Sequence, residues 1–131
     1  MIRWHQWGAF CSIYRTHGHR VEGLHDGEGA SNEIWHFGEV AEAAITVVMR
    51  TRELLRSYIH TLFQEAAESG AAISRPLLYD FPEDAVAQLV DDQLMLGPRF
   101  MVAPVLSFGR TSRTRMLKTR GARLLLYNKT F

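Results

Sequence analysis

EVAEAAITVVMRTRELLRSYIHTLFQEAAES, residues 39–69, is the stretch on which the fold turns. No Pro or Gly interrupts it, and Ala44, Val48, Leu55, Ile59, Leu62 and Ala66 recur at helical spacing, with Ile45, Tyr58 and Phe63 widening the stripe. The spacing predicts one long helix. Gly38 precedes it, and Glu39 and Glu42 set carboxylates in its first turn, where the positive end of the helix dipole stabilises them. Gly70 stands where a left-handed residue ends a helix. A helix of about 30 residues draws most of its stability from the face it buries, so a stripe this wide demands a large partner surface.

Upstream, Ile2–Trp7 reads as the tail of another helix, and Ala9–Tyr14 as a short apolar strand of the kind buried on both faces in a parallel sheet. Residues Gly18–Asn32 hold four of the ten glycines with scattered charge and read as a surface loop. Downstream the texture changes to strands. Ile73–Phe81 carries Pro76 and reads as a strand interrupted at an edge or bulge, and Phe100–Leu106 is apolar apart from Pro104. Arg113–Lys118 alternates charge with Thr, Met and Leu, and Ala122–Tyr127 is a last candidate. Strand, long helix, then several short strands predicts an α/β piece running into an all-β piece. No internal repeat is visible.

Composition narrows the function classes. At 131 residues and 15.0 kDa the chain fits one domain, and a second full domain has no room. Hydrophobic residues at 47% against 22% charged exclude the disordered, collagenous and low-complexity classes. Fifteen Lys and Arg against fourteen Asp and Glu leave a formal charge of +1, with no basic field to hold nucleic acid or an anionic membrane. A single cysteine, Cys11, can form no internal disulfide and no Cys-rich zinc site. The N-terminal residues contain no apolar signal core, and no run approaches the 18 or so apolar residues of a membrane span. The expectation is a soluble chain with no address and an unassigned compartment.

The histidines are the first candidates for chemistry. His17, His19 and His25-Asp26 bring ligand types suited to zinc or a non-haem metal into one glycine-rich loop, but at a spacing that matches no metal motif. Solvent-exposed or substrate-facing histidines are the stronger reading, and no metal or cofactor is expected. His5, His36 and His60 read as packed or surface residues. Cys11 and His17 are six residues apart, about 20 Å in an extended strand, which argues against a local nucleophile and base and for Cys11 as a core thiol. Asp91-Asp92 and Glu83-Asp84 are adjacent pairs whose side chains diverge, so turn or cap duty explains them better than paired acid chemistry. Gly8, Gly18 and Gly97 are isolated, and no phosphate-cradling loop is present.

Four blocks together carry more than any of these residues alone. They are Arg3-Trp4-His5-Gln6-Trp7-Gly8-Ala9-Phe10-Cys11-Ser12-Ile13-Tyr14-Arg15-Thr16-His17, Glu33-Ile34-Trp35-His36-Phe37-Gly38-Glu39, and Arg75-Pro76-Leu77-Leu78-Tyr79-Asp80-Phe81-Pro82-Glu83-Asp84. The fourth is Asp91-Asp92-Gln93-Leu94-Met95-Leu96-Gly97-Pro98 with Val102-Ala103-Pro104-Val105-Leu106. In this order the chain resembles glycoside hydrolase family 31, which includes α-glucosidases and α-xylosidases. The first block is similar to that family's R-W-x-Q-x-G-A-F-x-P-x-x-R-x-H, the second to its E-x-W-x-F-G-E lead into a long helix. Ser12 stands where many α-glucosidases have Pro, and Cys11-Ser12 is closer to α-xylosidase-like members. The loop Gly18–Asn32 is longer than the usual link, and Thr119 replaces a common Pro.

The resemblance implies the last strand-helix unit of a (β/α)8 TIM barrel, followed by short strands that begin a β-sandwich. Residues 1–70 then form the C-terminal piece of the barrel, and residues 71–131 the barrel end and first sandwich strands. About six of the eight strand-helix units are absent, which gives the long helix its missing partner surface. By the resemblance, His17 is the substrate-binding residue, a hydrogen-bonding contact to a sugar hydroxyl in the innermost subsite. The family reaction is retaining hydrolysis by two carboxylates about 5.5 Å apart. Both lie on earlier strands in the family, and no W-x-D-M-N-E type segment occurs here, so no catalytic residue is assigned to this chain.

The resemblance therefore implies a C-terminal fragment of a retaining α-glycosidase, inactive alone. Its substrate in the complete enzyme is an α-linked glucoside or xyloside, and its exposed barrel faces favour self-association. Because the resemblance starts at Met1 within a barrel helix, coding sequence for the rest of the barrel is expected upstream. The competing class is a non-catalytic carbohydrate- or protein-binding module derived from the same family. Exposed aromatic platforms mark such modules, whereas Trp4, Trp7 and Trp35 sit in blocks that read as structural. A metal-binding loop protein built on His17, His19 and His25 ranks third. Asn128-Lys129-Thr130 matches a glycosylation acceptor, read as a chance match.

Overall fold

In a computed structural model the described residues are 1–18, 20–25, 28–110, 112–113 and 123–125. Helix α1 spans Ile2–Gly8, strands β1 (Arg20–His25) and β2 (Glu28–Ala30) form an antiparallel pair, and a short 3-10 turn covers Ile34–Phe37. Helices α2 (Glu39–Leu54) and α3 (Arg56–Ser69) follow, then β3 (Ser74–Pro76), a single turn of helix α4 (Leu77–Asp80), β4 (Leu94–Leu96), β5 (Phe100–Val102) and β6 (Arg123–Leu125). Strands β3 to β6 make one four-stranded sheet in chain order, antiparallel except for the parallel β5–β6 pair. Among the described residues no helix is long and apolar enough to cross a membrane.

The helical reading of residues 39–69 holds, but as two helices rather than one. Leu55 sits at φ −89°, ψ −3°, and its N–H bonds to the Arg52 carbonyl three residues back at 3.1 Å, a 3-10 turn that breaks the four-residue ladder. Helix α2 packs on α1, while Ile59 and Leu62 of α3 reach the sheet. Gly38 leads into α2 with Glu39 and Glu42 in its first turn. Gly70 closes α3 in the left-handed region at φ 72°, its N–H on the Ala66 carbonyl.

Two expectations need correction. Residues 9–14 form no strand; α1 runs into turns, with the Phe10 N–H on Trp7 and the Cys11 N–H on Gly8, both at 3.0 Å. The carbonyls of Ala9, Cys11 and Ser12, which a neighbouring strand would otherwise satisfy, are taken by the Arg52 guanidinium. The strand of the expected strand-helix unit is therefore absent from its expected place. Residues 18–32 are not wholly loop, since β1 and β2 lie within them; a glycine-rich pair that closes its hydrogen bonds on itself leaves no apolar alternation to read.

In the downstream half the strands are shorter than expected. Residues 73–81 divide into β3 and α4 at Pro76, β5 occupies only the start of the 100–106 segment, and β4 had not been foreseen. Most of the 113–118 candidate lies outside the described residues, as do Thr119 and Asn128–Thr130; within 122–127, residues Arg123–Leu125 are strand.

The hairpin β4–β5 sorts its side chains onto two faces, as the two-residue period of a strand requires. Leu96 and Val102 join Ala9, Phe10, Val48, Ile59 and Leu62 in one buried cluster, while Met95 and Met101 join Leu77 and Ala87 in another. Tyr58 on α3 fastens the hairpin turn: its hydroxyl donates to the Leu96 carbonyl at 3.0 Å and accepts the Arg99 N–H at 3.3 Å. At the other end Arg3 of α1 donates to the carbonyls of Val105, Ser107 and Arg110. Arg75, nearly buried, pairs with Asp80 at 2.7 Å.

Candidate functional site

His17 lies three residues beyond Tyr14 and lines a hollow of about 340 Å³ together with His5, Cys11, Tyr14, Arg15 and Asn32. Its path is pinned from two sides. Asn32 donates its amide to the Gly18 carbonyl, tying the two ends of the 18–32 segment together next to His17. Tyr14 stacks edge-on against His5, centroids 5.7 Å apart, and its hydroxyl shares a 2.7 Å hydrogen bond with His5 Nδ1. Gly8 makes room for that ring, because a Cβ there would sit 3.1 Å from it. His17 is exposed, as a group that meets a ligand must be.

His5 is buried, and its Nε2 has no hydrogen-bond partner among the described residues. Burial pushes its imidazole below the usual 6.5. The sign follows directly: with a folded value below the unfolded one, the unfolded chain binds more protons. Stability is then full above 6.5 and falls as pH drops from there towards the folded value. His5→Phe is expected to flatten this part of the stability profile, read from urea midpoints at stepped pH between 7 and 5. An unchanged slope would show that His5 does not titrate on unfolding.

The other sequence candidates fall elsewhere. Cys11 is half-buried rather than in the core; its thiol donates to the Trp7 carbonyl at 3.7 Å, and burial raises its pKa although Arg52 opposes this. That is the wrong direction for a nucleophile. His36 and His60 are exposed. His19 and Asp26 lie outside the described residues and His25 is placed only as part of β1, so the metal reading of this loop is untested; among the described residues no three His, Cys, Asp or Glu gather as a metal ligand set.

Among the described residues no carboxylate lines the His17 hollow. Asp84 caps a turn through the Val86 and Ala87 N–H groups, at 2.8 and 3.3 Å, as its position next to Glu83 suggested. Asp92 pairs with Arg113 at 2.7 Å, and that guanidinium holds its carboxyl below the usual range. Asp91 and Asp92 border a larger, mainly apolar hollow of about 610 Å³ on another side of α1. Trp4 and Trp7 line both hollows. Trp4 and Trp35 are exposed, so the described residues give neither the packed place that their blocks suggested.

Sequence reasoning passed over Arg52. It occupies the gap in the helical stripe between Val48 and Leu55, and a charge at an inward position was the signal that could have found it.

Two family profiles match the chain: the Glycosyl hydrolases family 31 TIM-barrel domain over residues 1–62, and the Glycosyl hydrolase family 31 C-terminal domain over residues 70–123. The chain belongs to glycosyl hydrolase family 31. Similar proteins include the lysosomal alpha-glucosidase of Mus musculus, 36% identical over 86% of this chain and 11% of that protein. Alpha-xylosidase A of Aspergillus niger is 33% identical over 79% of this chain and 15% of its own length. Among solved structures, a family 31 alpha-xylosidase from a soil metagenome, complexed with xylose, superposes with a TM-score of 0.75 at 41% identity, covering 86% of this chain and 18% of that one. The chain thus spans little more than a tenth of the mouse relative's length. Family 31 membership makes the architecture a barrel end followed by the family's C-terminal domain.

Proposed function

We propose that this chain is the C-terminal part of a retaining α-glycosidase acting on α-linked glucosides or xylosides, and that His17 binds the sugar held innermost. Residues 1–70 then supply the last unit of the (β/α)8 barrel and residues 71–131 its end and the first strands of a β-sandwich. The observation that carries this reading is the hollow of about 340 Å³, in which an exposed histidine stands on a pinned segment with no carboxylate among the described lining residues. Retaining hydrolysis needs a carboxylate nucleophile and a second carboxyl as acid and base, and both are to come from the part of the barrel that precedes this segment in the family.

A chimera tests His17. This chain replaces the matching segment of the soil-metagenome alpha-xylosidase, and turnover of an aryl α-xyloside is followed. His17→Ala is expected to lower kcat/KM about ten- to a hundredfold, chiefly through KM, because one neutral hydrogen bond to a sugar hydroxyl contributes about 1 to 3 kcal/mol. An unchanged kcat/KM in the variant overturns the assignment.

The competing reading, a non-catalytic carbohydrate-binding module, is favoured by one observation, the exposure of Trp4 where both hollows meet.

A further inference from the structure

We propose that Arg52 is a positioning residue, a clamp that fixes the turn at residues 9–12 and through it the path of residues 14–17 that carry His17 to the hollow. The inference rests on the sugar-binding reading of His17 for its consequence, though not for its geometry. Arg52 Nη1 donates to the carbonyls of Ala9 at 2.8 Å and Cys11 at 2.6 Å, and Nη2 to that of Ser12 at 2.9 Å. Three carbonyls from four consecutive residues therefore converge on one planar fork, whose two nitrogens share the bonds, whereas an ammonium would have to reach all three oxygens from a single nitrogen.

The site explains the charge. Ala9 caps the C-terminal end of α1, where carbonyls lack intrahelical partners and the helix dipole is negative, so a cation supplied from α2 is stabilised there. The guanidinium is only partly desolvated, and the Cys11 thiol and Tyr14 phenol are the groups it faces. Beyond the clamp, Ser12 Oγ meets Ser74 Oγ of β3 at 3.1 Å, and Tyr14 is locked on His5 and Gly8. From Tyr14 to His17 only Arg15 and Thr16 intervene. The direction in which His17 leaves the core is thus set by contacts at residues 9 to 14, and Arg52 supplies three of them.

Hydrogen-deuterium exchange of this chain, read by mass spectrometry on peptides covering residues 9–17 and 94–102, tests the clamp. Arg52→Met is expected to speed exchange in 9–17 at least tenfold, and Arg52→Lys by a smaller factor, with 94–102 within twofold of the unmodified chain. Arg50→Lys, an exposed arginine on the same helix, is the control and is expected to change neither peptide. If Arg52→Met unfolds the chain, the Lys variant decides, since it keeps the charge and loses the fork. Equal acceleration of both peptides in Arg52→Lys, or none in 9–17, overturns the proposal.

In the chimera, Arg52→Lys is expected to raise KM for the aryl α-xyloside about tenfold with kcat within threefold. A residue that only held the fold together would reduce the amount of active enzyme and leave KM alone. Faster local exchange with an unmoved KM keeps the clamp and removes the sugar contact from His17, so the two readings fail separately.

Discussion

Purified alone, the chain is expected to release no product from aryl α-glucosides or α-xylosides above a protein-free control, and to elute from size-exclusion chromatography larger than 15.0 kDa. Double displacement at an anomeric carbon needs two carboxyl groups on either side of the bond. Among the described residues no carboxylate lines the His17 hollow, and Asp84 and Asp92 are committed to a turn and to Arg113. Losing one such partner typically removes several powers of ten in rate, and on the proposed reading both come from another segment. Self-association follows from Trp4, Trp35, Leu54, Leu89 and Phe108, large apolar side chains that all face solvent. Turnover well above the control, abolished by Asp91→Asn, would show a carboxylate site within this chain and overturn the fragment reading. A monomer that binds xylose or maltose without turning over substrate would favour the binding module instead.

Gly97→Ala is expected to have the largest effect on stability. Gly97 sits at φ 53°, and a Cβ there would run into the Tyr58 hydroxyl and lie 2.5 and 2.9 Å from the two Leu62 methyls. Tyr58 cannot give way without breaking its bonds to Leu96 and Arg99, and Leu62 is buried. Overpacking together with a left-handed backbone makes the loss about 2 to 5 kcal/mol, a large share of the stability of any single domain. Gly70→Ala is the internal standard: at φ 72° with no atom within 4 Å of the added carbon, it should lose only about 1 kcal/mol. Urea midpoints at constant slope measure both. Equal losses would mean that the backbone conformation, not contact with α3, requires glycine at 97.

Local signals were legible where a single element satisfied itself. The stripe from Ala44 to Ala66 and the glycines at 38 and 70 marked the helical stretch and its ends, since periodicity and caps are written in neighbouring residues. The break at Leu55 was not, because it is a backbone accommodation with no Gly or Pro to announce it. Residues 9–14 carried a strand's composition, but a strand needs a ladder partner, and here the carbonyls found a side chain 40 to 43 residues away. Short strands such as β4 are fixed by pairing across the hairpin rather than by their three residues. At the candidate site, the sequence offered His17 as one of several loop histidines, and only the resemblance made it a sugar contact. Of the residues around its segment, His5, Gly8 and Tyr14 lie within ten positions but meet only once the chain turns back on α1, and Arg52 reaches the carbonyls between them from 40 to 43 residues away.

The buried cluster that joins Ala9, Phe10 and Val48 to Leu96 and Val102 crosses the division between the two family profiles. That packing limits where this chain can be divided. A recombination joint placed between residues 62 and 70 would separate Phe10 and Val48 from the side chains they were selected against, and would part Tyr58 from the turn it fastens. The unit that can be exchanged intact is therefore larger than either profile, running from α1 through β5. The boundary at which the two sequence patterns change hands is not one at which the molecule comes apart.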